Sequence, residues 1–144
     1  MKQTASDYTT DELICTCIAR QIEDGEIVAQ GIATPLVAAG YILAKLTHAP
    51  SITFASAIGN AICSEWRYLS LSRIEEAWLG QALRLLSFTE ISSEVLPTLQ
   101  PKEFFRPAQV DAYGNFNNVV IGDYYQPRLR LPGCGGIADV TNYS

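Results

Sequence analysis

Charge is what this sequence has least of. Asp, Glu, Lys and Arg make up 17% of its 144 residues, against 48% apolar; soluble globular chains carry about 25% charge. So little polar material cannot coat a small domain, which points to surface covered by another chain. Positive charge is scarcest: 10 Lys and Arg face 15 Asp and Glu, for a net charge of −5, and no basic cluster occurs. A duplex or an anionic membrane needs a positive field, so neither nucleic acid nor membrane is expected as a partner. No apolar run approaches the ~20 residues of a spanning helix, and the polar start MKQTASDYTT is not a secretory signal. A cytoplasmic location is expected.

Metal-binding patterns are also missing. His48 is the single histidine, and the four cysteines, Cys15, Cys17, Cys63 and Cys134, form no C-x-x-C. Cys15 and Cys17 would lie about 200° apart on a helix, so they cannot jointly grip a metal. The expectation is no metal site and four reduced thiols. Repeats and low-complexity tracts are absent too, and nothing marks a domain boundary, so residues 1–144 read as one domain.

What is present begins with helix and strand in alternation. TTDELICTCIARQIEDGE has Thr9 or Thr10 as cap, acids in its first turn and Leu13, Ile14, Cys17, Ile18 and Ile22 on one face, with Gly25 as its stop. EIVAQGI follows as a strand. TPLVAAGYILAKLTHAP is a helix that opens with Thr34 and Pro35 and closes near Pro50. SITFASAI is the next strand. This order predicts an α/β fold with a mostly parallel sheet flanked by helices.

Further on, SRIEEAWLGQALRLLSF has helical spacing, with Ile74, Trp78, Leu79, Leu83 and Leu86 on one face and Trp78 as a core residue. SSEVLPTLQPKEFF reads as loop and short elements, with KEFF as a strand start. Tyr113-Gly114-Asn115 is turn chemistry to which Asp111 and Asn115 can bond. NNVVIGDY reads as a strand ending at Gly122-Asp123. The loop Gly133-Cys134-Gly135-Gly136 lets backbone N–H groups face an anion or a polarised carbonyl. It lacks the G-K-S/T of a phosphate loop and the spacing of a dinucleotide fingerprint, so by itself it is equally a tight turn.

Together these segments resemble a known family. AQVDAYGNFNN, IGDYYQPRLRLP and GCGG are similar to the Q-V/I-D-x-Y-G-N-x-N, I-G-D-Y and G-x-G-G blocks in the β subunit of glutaconate-type class I CoA-transferases. GCGGIAD also resembles the G-x-G-G-A-x-D loop of the succinyl-CoA:3-ketoacid branch, and ARQIEDGEIVAQGIATPLVAAGYILAKLTHAPSIT matches the family's first elements without a gap. The resemblance runs from about Thr9 to the C-terminus. It implies a fold of the CoA-transferase/ribose-isomerase type, a CoA thioester as substrate with no bound cofactor, and an α-like partner subunit with the active site between subunits. It gives Gly135 and Gly136 the role of oxyanion-stabilising backbone, and sets Gly133 and Cys134 against the acyl-CoA.

Two departures from the family pattern matter. The family nucleophile is a Glu at the end of the strand after the H/Y-A-P element. Counted from Ala49-Pro50 that position is Ala57, with Gly59 matching the family's glycine. A methyl group cannot attack a thioester. Ser56 and Asn60 are the nearest polar side chains; Ser56 should face away from Ala57 and would need a base of its own. Glu65 is too far along to substitute. Secondly, the family's β subunits continue well past Asn142-Tyr143-Ser144, so the C-terminal part of the fold is expected to be incomplete and supplied by another chain or dispensable. The segment VAAGYILAKLTHAPSITFASAIG resembles the 3-methylglutaconyl-CoA decarboxylase type, in which a Cys replaces the Glu. Three readings stay open: a subunit of a decarboxylase- or hydrolase-like acyl-CoA enzyme, a CoA-transferase whose nucleophile comes from another chain, and a non-catalytic scaffolding or regulatory subunit.

Overall fold

Thr9 starts the first helix, α1 (Thr10–Arg20), through a reciprocal cap. Its hydroxyl accepts from the Glu12 N–H at 3.3 Å while the Glu12 carboxylate accepts from the Thr9 N–H at 2.7 Å. Those bonds from Thr9 hold the Glu12 carboxyl below its ordinary range. The helix ends at Arg20 with Gln21 as its cap, earlier than Gly25, which takes φ +86° in the following turn. The structure, a computed structural model, describes residues 6–31, 34–66 and 80–142.

The second helix, α2 (Pro35–Thr47), begins at the expected proline and crosses α1 closely. Ile18 packs where Gly40 has no side chain: a Cβ there would meet Ile18 Cγ2 at 2.6 Å. Ile18, Ala19 and Ile22 are buried, whereas Leu13 and Ile14, expected on the same inner face, are 44% and 38% exposed, and Cys17 is exposed. The narrow crossing at Gly40 covers only the C-terminal part of that face.

The described sheet has the order β1 (Ile27–Ala29), β2 (Thr53–Ser56), β3 (Ala61–Cys63), β4 (Ala82–Leu85). β1 and β2 run parallel, as the helix–strand alternation predicts, and Lys102 adds a parallel bridge to Val28. β3 and β4 run antiparallel, so the sheet is mixed rather than mostly parallel. The cause is the turn at residues 57–60: Asn60 takes φ +50° and the Ser56 hydroxyl accepts from the Gly59 N–H at 2.9 Å. So tight a reversal can only yield an antiparallel neighbour.

Within the helix expected over residues 72–88, residues 82–85 are corrected to the strand β4. Ala82–Leu85 pairs with β3, Leu83 is 65% exposed, and Leu86 alone of the expected apolar residues here is seen buried. Ile74, Trp78 and Leu79 lie outside the described residues. Beyond β4, a helical turn (Phe88–Glu90) capped by Ser87 runs into a π-helical turn (Ile91–Val95) and a further turn (Leu96–Leu99). The wide turn precedes Pro97, which has no N–H for an ordinary helical bond. KEFF is not a strand; Lys102 makes only its single bridge. The core gathers Ile22, Val28, Tyr41, Ile52, Phe54 and Cys63, with Trp66 edge-on to Phe54 at 5.5 Å.

Although the sequence marks no boundary, the chain separates into two compact units, Met1–Phe104 and Phe105–Ser144. The second unit consists of two short hairpins, β5 (Gln109–Val110) with β6 (Phe116–Asn117), and β7 (Val120–Gly122) with β8 (Pro127–Arg130), then a helical turn (Ile137–Val140). Asp111 closes the first hairpin as expected. It accepts from the Tyr113 and Asn115 N–H groups at 2.9 Å, and from the Asn115 side chain, which holds its carboxyl below the ordinary range.

Candidate functional site

Parallel strands deliver their last side chains to the edge at their carboxyl ends, where ligands of open α/β sheets bind. In the first unit this is the end of β1 and β2. Ala57 is half-buried in the first position of the turn after β2. Ser56 is 5% exposed, and its hydroxyl serves the turn as acceptor for Gly59. Asn60, the other polar candidate, is a turn residue whose carbonyl accepts from the Leu86 N–H at 2.9 Å. The edge of β2 thus offers a methyl group and an engaged serine hydroxyl.

A carboxylate that no sequence motif marks lies nearby. Glu103 follows Lys102, which is locked to β1 through Lys102 N–H to Ile27 O at 2.8 Å and Ala29 N–H to Lys102 O at 2.9 Å. The Glu103 side chain reaches Gly31, just past β1: a Cβ on Gly31 would stand 3.2 Å from Glu103 Oε1. Burial pushes the Glu103 carboxyl above the ordinary carboxylate range. Nothing in KEFF signals this, because an unpaired carboxylate looks like a paired one until its neighbours are known.

In the second unit the glycine loop is positioned by the hairpin before it. Gly133 takes φ +102° and donates its N–H to the Asn118 carbonyl at 2.8 Å, while Leu131 donates to Val119 O at 2.9 Å. The Cys134 carbonyl accepts from Ile137 at 3.0 Å and the cysteine is a half-buried free thiol. Gly135 and Gly136 are exposed, Gly136 has φ +78°, and the N–H groups of both find no acceptor among the described residues. These are donors available to a ligand; the Gly133 amide is not.

Cys15 and Cys63 are not reacting groups. Burial raises the Cys15 thiol and pushes Cys63 up to about 12, away from the thiolate form that attacks or ligates. Among the described residues no cluster of three or more His, Cys, Asp or Glu could hold a metal, and no helix is long and apolar enough to cross a membrane.

Known proteins resemble this chain in sequence and in fold. The family model for coenzyme A transferases matches residues 12–144. The B subunit of 3-oxoadipate CoA-transferase from Pseudomonas knackmussii is 34% identical over 94% of this chain and 52% of its own length. The B subunit of glutaconate CoA-transferase from Acidaminococcus fermentans is 30% identical over 96% of this chain and 53% of its own. The crystal structure of the decarboxylase AibA/AibB superposes with a TM-score of 0.80 at 29% identity, covering 95% of this chain and 56% of that one. The chain therefore spans about half the length of the curated relatives it matches. By sequence and by fold, it belongs to the coenzyme A transferase family, with B subunits among its relatives.

Proposed function

We propose that the chain is the B-type component of a heteromeric enzyme acting on acyl-CoA thioesters, with chemistry moved from covalent transfer to decarboxylation or hydrolysis. The observation that carries this reading is Ala57: where the family pattern puts a nucleophilic Glu, the turn after β2 holds a methyl group, and neighbouring Ser56 is engaged in the turn. No covalent glutamyl adduct forms from such a position. The likeness to a decarboxylase supports a non-transferase outcome.

In this reading the free amides of Gly135 and Gly136 meet the thioester oxygen as charge develops on it, and Gly133 and Cys134 flank the acyl-CoA. CoA enters as substrate, with no bound cofactor. An α-like subunit completes the site, in the cytoplasm. The test is to isolate the tagged chain with its native partners and supply glutaconyl-CoA with and without acetate. Expected are CO2 or free CoA, independent of acetate, and no borohydride-trapped adduct on this chain. Transfer of CoA to acetate through an adduct on this chain overturns the reading. A complex that binds the thioester without turnover favours the scaffolding alternative.

A further inference from the structure

We propose that Glu103 is the catalytic acid of this site, delivering a proton to the substrate carbon from which carboxylate departs. The assignment rests on the acyl-CoA reading and deepens it by naming the residue that does chemistry where Ala57 does none.

The placement comes from the sheet. The parallel bridge between Val28 and Lys102 sets Glu103 level with the carboxyl end of β1. The register Ile27↔Thr53 to Ala29↔Ala55 sets the end of β1 beside the end of β2, two residues before Ala57. Glu103 Oε1 lies 3.2 Å from where a Cβ of Gly31, two residues past β1, would stand. Gly31 keeps that approach open; a larger residue would press on the carboxylate.

The environment suits an acid. Among the described residues Glu103 accepts no hydrogen bond and forms no ion pair. Lys102, its sequence neighbour, turns its ammonium to the Gln21 carbonyl and the Glu26 carboxylate. From α2 the facing titratable group is Tyr41, whose hydroxyl donates to the Ala29 carbonyl at 2.7 Å. Gln30 and Gly31 bring no charge. A half-buried carboxylate without a partner is costly to ionise, so the proton is retained to higher pH than in water. Sites that need a neutral carboxylic acid are built this way.

The step balances for an α,β-unsaturated thioester with a γ-carboxylate. The bond from the γ-carbon to the carboxylate breaks and CO2 leaves. The electron pair passes into the conjugated thioester. Glu103 then gives its proton to the γ-carbon and recovers one from water.

The experiment uses the native complex carrying Glu103→Gln or Glu103→Asp, with glutaconyl-CoA as probe. CO2 release, thioester Kd and deuterium incorporation from D2O are followed from pH 5 to 9. We expect Glu103→Gln to bind the thioester as wild type does while turnover and deuterium incorporation fall by about 10²–10⁴. Wild-type turnover should decline as pH rises through the raised Glu103 pKa, and the residual rate of the Gln variant should lack that limb. Should Glu103→Gln fail to assemble, Glu103→Asp decides, by shifting the limb. An unmoved limb in the Asp variant, or wild-type turnover in the Gln variant, overturns the assignment while leaving the acyl-CoA reading intact. A wild-type complex that neither binds nor converts the thioester overturns both.

Discussion

At the scale of single residues, the two free glycine amides separate a chemical role from a conformational one. Gly136 has φ +78° whereas Gly135 does not share that conformation, and a Cβ meets nothing within 4 Å at either. Gly136→Ala therefore strains the backbone by about 1–2 kcal/mol even with space around it. Gly135→Ala leaves folding untouched and only crowds an approaching thioester oxygen. If both amides form the oxyanion site, both variants should lose about 10²–10³ in kcat, and only Gly136→Ala should also lower Tm. Undiminished turnover in Gly135→Ala would remove that residue from the site. Ala57→Glu tests the first unit. Wild-type complex should show no CoA or acyl adduct on this chain by borohydride trapping and peptide mass analysis, and the variant should gain a weak one at residue 57. The gain is small because a nucleophile misplaced by ~1 Å loses about 10²-fold. Glu103 makes a third residue-level statement, through stability. Its folded pKa stands above the reference 4.5, so its contribution is fully present below that value and is lost as pH rises through the folded pKa. Glu103→Gln should thus melt above wild type at pH 8, with the gap closing toward pH 4.

Between elements, the crossing of α1 and α2 gives a sign test. Helix propensity alone makes Gly40→Ala stabilising by about 1 kcal/mol. Packing opposes it, since the new methyl would stand 2.6 Å from Ile18 Cγ2 and 3.2 Å from the Cys15 carbonyl. Ile18 is a β-branched, buried residue with little freedom to move, and overpacking costs about 1–3 kcal/mol. Packing should win, lowering Tm by roughly 2–6 °C, and Ile18→Ala in the same chain should restore part of the loss. The elements that could be read from the sequence carry their own local signals: the Thr9 cap, Pro35 at the start of α2, the Asp111 turn. Those that could not depend on partners distant in the chain. Gln81 to Leu86 has helical spacing, yet Ala82–Leu85 lies flat as β4 because β3 offers it a ladder. β3 itself, Ala61–Cys63, is too short to show a period. The site divides in the same way: the glycine loop was visible as a motif, but that Ser56 is engaged by Gly59, and Glu103 by no partner among the described residues, is visible only after folding.

For the molecule as a whole, the two units differ in what holds them together. The first has a contiguous core around Tyr41, Phe54 and Ile52. The second, Phe105–Ser144, contains no buried residue among those described; its order comes from hairpin ladders and side-chain bonds such as Asn117 to Gln109 and to Val120, each at 2.7 Å. Two-stranded hairpins are marginal in water without an apolar face to cover, and hydrogen bonds reachable by solvent contribute little net stability. Large apolar side chains are also exposed on both units: Leu83 and Leu85 on β4, Val110, Tyr113 and Tyr125 on the hairpins. Surface of this kind is associated with a partner. Expressed alone, the chain should therefore self-associate, and a cooperatively melting monodisperse monomer would count against a required partner. Hydrogen exchange then distinguishes the units. In the isolated chain, amides of residues 105–142 should exchange close to the unprotected rate while those of β1 and β2 stay slow, because local opening of the second unit exposes no core. On adding the native partner chains, protection should appear across the hairpins and the glycine loop. Full protection of residues 105–142 without any partner would mean that the second unit is stable on its own and that its exposed aromatic residues have another use.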